Sequence, residues 1–261
     1  MPIITLTTDF GLADGYVAAM KGVILSIAPQ ATLIDITHQI APQNVREAAY
    51  VLHTALPYFP PGAVHVAVVD PGVGSARRPM AARVDGSFLV GPDNGVFTFA
   101  LHGAGQPAAC LHLDNPAYWL PQVSRTFHGR DIFSPMAAHL ANGVPLEALG
   151  TPIDDPICFD VRHPQREADG SLRGEVIHVD RFGNLVSNIP GDWLAGRLWN
   201  VRIAGQQIIG PSLSYAEIES GQLLTLVSSN ATLEVAVRDG SAAGRLGVAA
   251  GEPIDVYPHE R

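Results

Sequence analysis

Val64-His65-Val66-Ala67-Val68-Val69 is a run of six residues with one polar interruption, and it passes straight into Asp70-Pro71-Gly72-Val73-Gly74. A strand of that composition has no solvent face and must be covered on both sides. Before it stand an apolar run at residues 2–8, then Val17, Met20, Ile24 and Ile27 at helical spacing, a strand pattern at 32–36 and a helix pattern at 44–56. Such alternation predicts an α/β domain with a mostly parallel sheet and helices on both faces. Beyond it, strands are predicted at 80–84 and 88–90 and a helix at 132–141.

The texture changes after about residue 165. Short extended runs at 174–179, 185–188, 201–203, 223–227 and 233–237, separated by Gly, Pro and Ser, predict a smaller all-β, barrel-like domain. The polar, turn-rich stretch at 163–170 marks the boundary, giving domains 1–165 and 166–261. With 261 residues, 47% of them apolar, the chain can fill two such cores.

Charge narrows the partners. A formal net charge of −9, with Lys21 the only lysine, gives no basic face for a nucleic-acid backbone, so a small organic ligand is expected instead. No apolar run approaches the roughly 20 residues of a membrane span and no leader pattern precedes the first strand, so no membrane partner and a cytoplasmic location are expected. Cys110 and Cys158 are expected to be buried thiols. The ten histidines include no pair at i, i+4 spacing beside an acid, so no metal is expected.

Ligands of open parallel sheets bind beyond the carboxyl ends of the strands. The strand ends here read Thr8-Asp9-Phe10-Gly11, Asp35-Ile36-Thr37-His38, Asp70-Pro71-Gly72-Val73-Gly74 and Gly91-Pro92-Asp93-Asn94-Gly95, so carboxylates and glycines collect at one edge. Each aspartate alone also suits a turn or a helix cap, and Asp14 is expected to cap the helix that follows it. Asp9-Phe10-Gly11 lacks the glycine-rich loop and lysine strand of a kinase, and Gly72-Val73-Gly74 lacks the third glycine of a dinucleotide fingerprint.

Taken together, five words in order carry a resemblance over nearly the whole chain: Thr8-Asp9-Phe10-Gly11 with Lys21-Gly22, Val69-Asp70-Pro71-Gly72-Val73-Gly74 with Arg77, Gly91-Pro92-Asp93-Asn94-Gly95, Thr126-Phe127-His128-Gly129-Arg130-Asp131, and Asp180-Arg181-Phe182-Gly183-Asn184 with Ser187-Asn188. The chain resembles the S-adenosylmethionine hydrolases, or hydroxide adenosyltransferases, relatives of the fluorinating and chlorinating enzymes. The resemblance implies hydrolysis of S-adenosylmethionine to adenosine and methionine, without a cofactor, by water attacking ribose C5′. It implies a catalytic triad of Asp70, Arg77 and His128, a ribose contact at Asp9, adenine contacts at Phe182 and Asn184 with Tyr215 closing the other face, and methionine contacts at Asp180 and Ser229. It also implies a homotrimer with its sites between subunits. Halogenating members carry a tyrosine where this chain has Asp70, and the fluorinating branch has an extra loop after the position of Val84, which is absent here. Two rival readings remain at this stage: a halide adenosyltransferase, and a protein that binds an adenosyl ligand without turning it over.

Overall fold

The computed structural model describes residues 1–258, which form two compact units divided between Phe159 and Asp160. In the first unit the elements run β1 (Ile3–Thr8), α1 (Tyr16–Ile27), β2 (Thr32–Thr37), α2 (Val45–Ala55), β3 (Val64–Val68), β4 (Pro79–Val84), β5 (Ser87–Pro92), α3 (Thr98–His102), β6 (Ala109–His112), α4 (Ser134–Ala141) and β7 (Thr151–Ile153). One seven-stranded sheet has the order β2-β1-β3-β5-β4-β6-β7. Strand β3 is buried along its whole length. Its Val64, Val66 and Val68 pack with Met20 and Ile24 of α1 and Met136 of α4, while Ala67 and the following Val69 pack with Ala48 and Leu52 of α2.

The sheet is mixed, against the mostly parallel expectation. β2, β1, β3 and β5 pair in parallel, whereas β5, β4, β6 and β7 pair antiparallel. The cause is local. Asp85 and Gly86 both take positive φ (46° and 83°), the geometry of a two-residue hairpin, so β4 returns directly as β5 instead of crossing over through a helix. Two smaller expectations also change. Helix α1 starts from Gly15 with no side-chain cap, and Asp14 is exposed one residue too early to serve. Helix α2, within the expected span, is capped by Asn44, whose side chain accepts from the Glu47 N–H at 3.1 Å. Cys110 is buried as expected, but Cys158 is exposed.

The helix expected at 132–141 is preceded by a π-helical turn, Gly129–Phe133. Pro135 has no N–H to offer the carbonyl of Asp131, which accepts from the Leu120 N–H at 2.9 Å instead, and the Ser134 hydroxyl donates to the Gly129 carbonyl at 2.7 Å.

In the second unit, β8 (Gln165–Arg166), β9 (Leu172–Val179), β10 (Leu185–Pro190), β11 (Trp199–Ile203), β12 (Gln206–Gly210), β13 (Leu223–Val227), β14 (Thr232–Val237), the short α5 (Ala242–Leu246) and β15 (Pro253–Pro258) follow in turn. All strand pairings are antiparallel in the order β12-β11-β15-β9-β10-β14-β13, with β8 beside β9. The two end strands almost close a barrel. The Ser212 N–H donates to the Thr225 carbonyl at 2.8 Å and Trp199 Nε1 to Thr225 Oγ1 at 3.2 Å across the seam. Val176, Leu185, Val201, Leu233 and Val235 fill the interior. Among the described residues no helix is long and apolar enough to cross a membrane.

The one polar side chain inside β3 is a consequence of its double burial. His65 has no exposed surface, and its Nδ1 lies 2.8 Å from Thr5 Oγ1 on the neighbouring strand. Burial pushes the imidazole from 6.5 down to about 4, because the charged form is not solvated there. The unfolded chain therefore takes up this proton at higher pH than the fold does. Stability is complete above about pH 6.5 and is lost as pH falls towards 4, by about 3 kcal/mol from this group. Urea titrations of the protein and of His65→Gln should diverge across that window, the parent losing more; parallel curves would show that His65 keeps its ordinary titration.

Candidate functional site

Because β2, β1, β3 and β5 run the same way, the residues that follow them gather at one edge of the sheet: His38, Asp9, Asp70 and Asp93. Two of these are committed to architecture. Asp93, 1% exposed, pairs with Arg78 and accepts the Ile157 N–H at 2.7 Å, while Arg78 also reaches Asp155 at 2.8 Å. His38 Nδ1 lies 2.9 Å from Thr8 Oγ1 and its Nε2 3.0 Å from Asp35 Oδ1, and Asp35 in turn pairs with Lys21 at 2.6 Å. This chain steers the loop after β1, since the Phe10 N–H donates to Thr8 Oγ1 and the Gly11 N–H to the His38 carbonyl. Asp9 on that loop is half-buried, and its Oδ2 accepts the Gln43 N–H at 2.8 Å.

Asp70, Arg77 and His128 come together. Turns through Gly72 and Ser75 fold the loop back on itself: Val73 N–H donates to the Asp70 carbonyl, Ser75 N–H to the Gly72 carbonyl and Arg77 N–H to Ser75 Oγ. Arg77 Nε then donates to Asp70 Oδ1 at 3.1 Å and Nη2 to Asp70 Oδ2, while Nη2 also stands 3.1 Å from His128 Nδ1. The Asp70 and Arg77 side chains are each 6% exposed. The guanidinium lies 5.3 Å from the centre of the Phe133 ring, and its buried Nη1 has no partner among the described residues. His128 immediately precedes the π-helical turn. Burial and the Arg77 charge hold its imidazole below the ordinary histidine range, so it is neutral near pH 7.

An unforeseen aromatic cluster adjoins these groups. Phe10, Tyr16 and Phe127 meet pairwise with ring centres 5.2 to 5.8 Å apart, and Tyr16 remains 49% exposed. Phe10 and Phe127 stood inside quoted words; Tyr16, just before the apolar helical face, gave no signal of its own.

In the second unit, Asp180, Phe182, Asn184 and Tyr215 line one cavity of about 800 Å³. The β9–β10 loop is built by its own aspartate. Asp180 Oδ1 accepts the N–H groups of Phe182 and Asn184, and Oδ2 accepts Asn184 Nδ2, all at 2.9 Å. Gly183 has φ +83°, and a Cβ there would fall 2.0 Å from Ser241 Oγ, so only glycine lets the loop rest against α5. Phe182 is left 76% exposed. Ser229 is exposed on the turn between β13 and β14 and is not part of the cavity wall, which Arg238, Asp239 and Ser241 complete instead. Sequence reading did not mark those three, since Val237-Arg238-Asp239-Gly240 has the look of an ordinary polar turn.

Among known proteins, residues 4–150 match the family described as the SAM hydroxide adenosyltransferase N-terminal domain, and residues 174–255 match the corresponding C-terminal domain. A protein from Salinispora tropica named (R)-S-adenosyl-L-methionine hydrolase is 42% identical over 257 residues, covering 98% of this chain and 97% of its own length. A solved structure of an uncharacterized conserved protein from Thermotoga maritima superposes with a TM-score of 0.90 at 37% identity, covering 97% of this chain and all of that one. More distant is a protein from Nocardia brasiliensis named fluorinase, 31% identical over 214 residues, covering 72% of this chain and 71% of its own length.

The loop that carries Arg77 depends on Gly74, whose φ is +76° and whose absent Cβ would sit 2.4 Å from the Arg125 carbonyl oxygen. Gly11 has a similar φ, +65°, but open space around it. Denaturant unfolding should therefore find Gly11→Ala less stable by about 1 kcal/mol and Gly74→Ala by roughly two to three times as much. Equal costs would mean that the close approach to Arg125 is not tight in solution.

Proposed function

The chain belongs to the SAM hydroxide adenosyltransferase family, and we infer from that membership that it is an S-adenosyl-L-methionine hydrolase, releasing adenosine and L-methionine. The proposed reaction is an in-line displacement. Water attacks ribose C5′, the C5′–S bond breaks, and the sulfonium leaves as neutral methionine. No electrons change hands and the leaving group carries away no charge, so the step calls for no cofactor and no oxyanion hole.

The observation that carries this reading is the Arg77 guanidinium clamped by Asp70 and His128 with Nη1 left as a buried donor. Such a donor can hold the attacking oxygen in line. It does not make hydroxide. Lowering the pKa of water from about 15.7 to about 7 takes roughly 12 kcal/mol, whereas one charge about 4 Å away supplies about 4 kcal/mol at an effective dielectric of 20. The proton must leave as the C–O bond forms.

Intrinsic basicity would give that proton to His128, about 6.5 against about 3.9 for an aspartate. Counting lone pairs reverses the order. A neutral imidazole has one, and arginine is only a donor, so the contact with Nη2 occupies Nδ1 and leaves the ring proton on Nε2. A carboxylate has about four acceptor positions, of which Arg77 uses two. As the C–O bond forms the attacking water gains oxonium character and becomes a far stronger acid than free water, so even a paired carboxylate can take its proton. Asp70 is thus the acceptor in this reading, and His128 tethers the guanidinium. The Asp70 charge also disfavours a halide nucleophile at the same place.

For the substrate, Asp9 Oδ1 is free for the ribose hydroxyls because only Oδ2 is tied to Gln43. Asn184 gives one amide hydrogen to Asp180, so its carbonyl oxygen is available to the adenine amino group. Phe182 and Tyr215 offer ring faces to the base. Asp180 and Ser229 are assigned to the methionine ammonium and carboxylate. The assembly proposed is a homotrimer with its sites between subunits.

Incubation with S-adenosylmethionine in heavy-oxygen water should yield methionine and adenosine labelled at the 5′-hydroxyl. A 5′-halo product in halide buffer would indicate the transferase, and unchanged ligand a binding protein. Asp70→Asn should lower kcat by about 10²-fold or more. His128→Asn, which keeps an acceptor for Arg77, should stay within about tenfold of the parent. The opposite ranking would make His128 the base.

A further inference from the structure

Residues 211–222, between β12 and β13, form a strap over the outer face of β13 and β14. Its ends are tied through the backbone. The Ser212 N–H donates to the Thr225 carbonyl at 2.8 Å, and the Gly221 N–H to the Arg238 carbonyl at 2.7 Å. Ile218 packs on Leu224, Leu226 and Ala236 beneath it, and Arg238 Nη1 reaches the carbonyls of Ala216 and Ile218. Tyr215 stands in the middle of the strap, 45% exposed on the cavity wall. Its ring is held from behind: the hydroxyl donates to Glu234 Oε1 at 2.7 Å.

Glu234 is an unusual residue for its place. Along β14, Leu233, Val235 and Val237 fill the barrel, so Glu234 faces the opposite way, under the strap, paired across the sheet with Leu226 and Val186. It is 5% exposed, and among the described residues it has no cationic partner. Burial raises its pKa, the Tyr215 bond lowers it and nearby Asp180 raises it again. An unpaired buried carboxylate is destabilising, and an apolar residue would suit this face better. The sequence places here an acid whose one side-chain hydrogen bond among the described residues goes to the tyrosine on the cavity wall.

We propose that Glu234 is a positioning residue for adenosyl binding: its buried carboxylate fixes the Tyr215 ring so that one wall of the cavity is already set before the base arrives. The proposal rests on the assignment of Tyr215 to the adenosyl ligand. Ordering a tyrosine at the moment of binding costs affinity, and a ring held in advance avoids that cost. The bond is remote from C5′, so its loss should weaken binding and spare the chemical step.

Five variants test this, each checked first by thermal melting. Tyr215→Phe keeps the ring and loses the tether; Glu234→Leu removes the acceptor. Each should raise KM for S-adenosylmethionine, and weaken adenosine binding by calorimetry, by about tenfold, with kcat within about twofold. Glu234→Gln, whose amide oxygen still accepts, should recover most of that loss, and the double variant Tyr215→Phe/Glu234→Leu should be no worse than either single. Should Glu234→Leu fail to fold, Tyr215→Phe alone decides between the outcomes. Tyr215→Ala separates the two layers of the argument. If it raises KM while Tyr215→Phe and Glu234→Leu leave KM unchanged, the ring is used but Glu234 does not position it, and the proposal fails. If Tyr215→Ala also leaves KM unchanged, the assignment of Tyr215 fails and the proposal falls with it.

Discussion

The ion pair between Asp70 and Arg77 ties the first unit together where its parallel half ends. Asp70 follows the most buried strand of the sheet, Arg77 leads into the first antiparallel one, and both side chains are nearly closed off from solvent. Two charges so placed tolerate little freedom, because separating them would leave each poorly solvated. The loop between them is accordingly wound through hydrogen-bonded turns, and His128 and the Phe133 ring hold the guanidinium from the side of the π-helical turn. A π-helical turn is a costly way to begin a helix. Here Pro135 removes a rung from the ladder, and the widened turn begins from His128, beside Arg77.

Much of this was legible. A six-residue apolar run could only be a doubly covered strand, and its ending in aspartate and glycines pointed to the edge where polar groups gather. The sheet's second half departs from the parallel expectation at Asp85-Gly86, a pair that is itself a hairpin signal between the strands expected at 80–84 and 88–90. β12 escaped notice because it opens on Gln206 and Gln207 and lies at the end of the sheet order, where one face meets water. Asp14 failed as a cap by a single residue, a margin that propensity does not resolve.

Of the candidate site, the residues whose chemistry is carried by side-chain type could be named from sequence: the acid, guanidinium and imidazole of the triad, and the ring and amide of the β9–β10 loop. What could not be read was which atoms are already occupied. Asp180 looked free to meet a ligand, yet its oxygens mainly hold its own loop, while the Nδ1 lone pair of His128 faces an arginine. Glu234 offered no sign at all, since an acid inside Leu233-Glu234-Val235 looks like the solvent face of an ordinary amphipathic strand. Occupancy and facing are properties of three dimensions.

The Asp85-Gly86 hairpin lies at the end of the sheet away from Asp9, Asp70 and His128, since β5 begins there and runs towards them. It is a two-residue connection whose residues are both exposed. Chain added at that point would carry the slow entropic cost of a longer loop, about 0.6 kcal/mol for each doubling, and would have to respect the bonds from the Gly105 N–H to the Asp85 carboxylate and from the Gly62 N–H to the Gly86 carbonyl. The molecule therefore has a natural port for grafting: an epitope tag, a dye site or a tether to a surface could enter there, at the far end of the sheet from Asp9, Asp70 and His128.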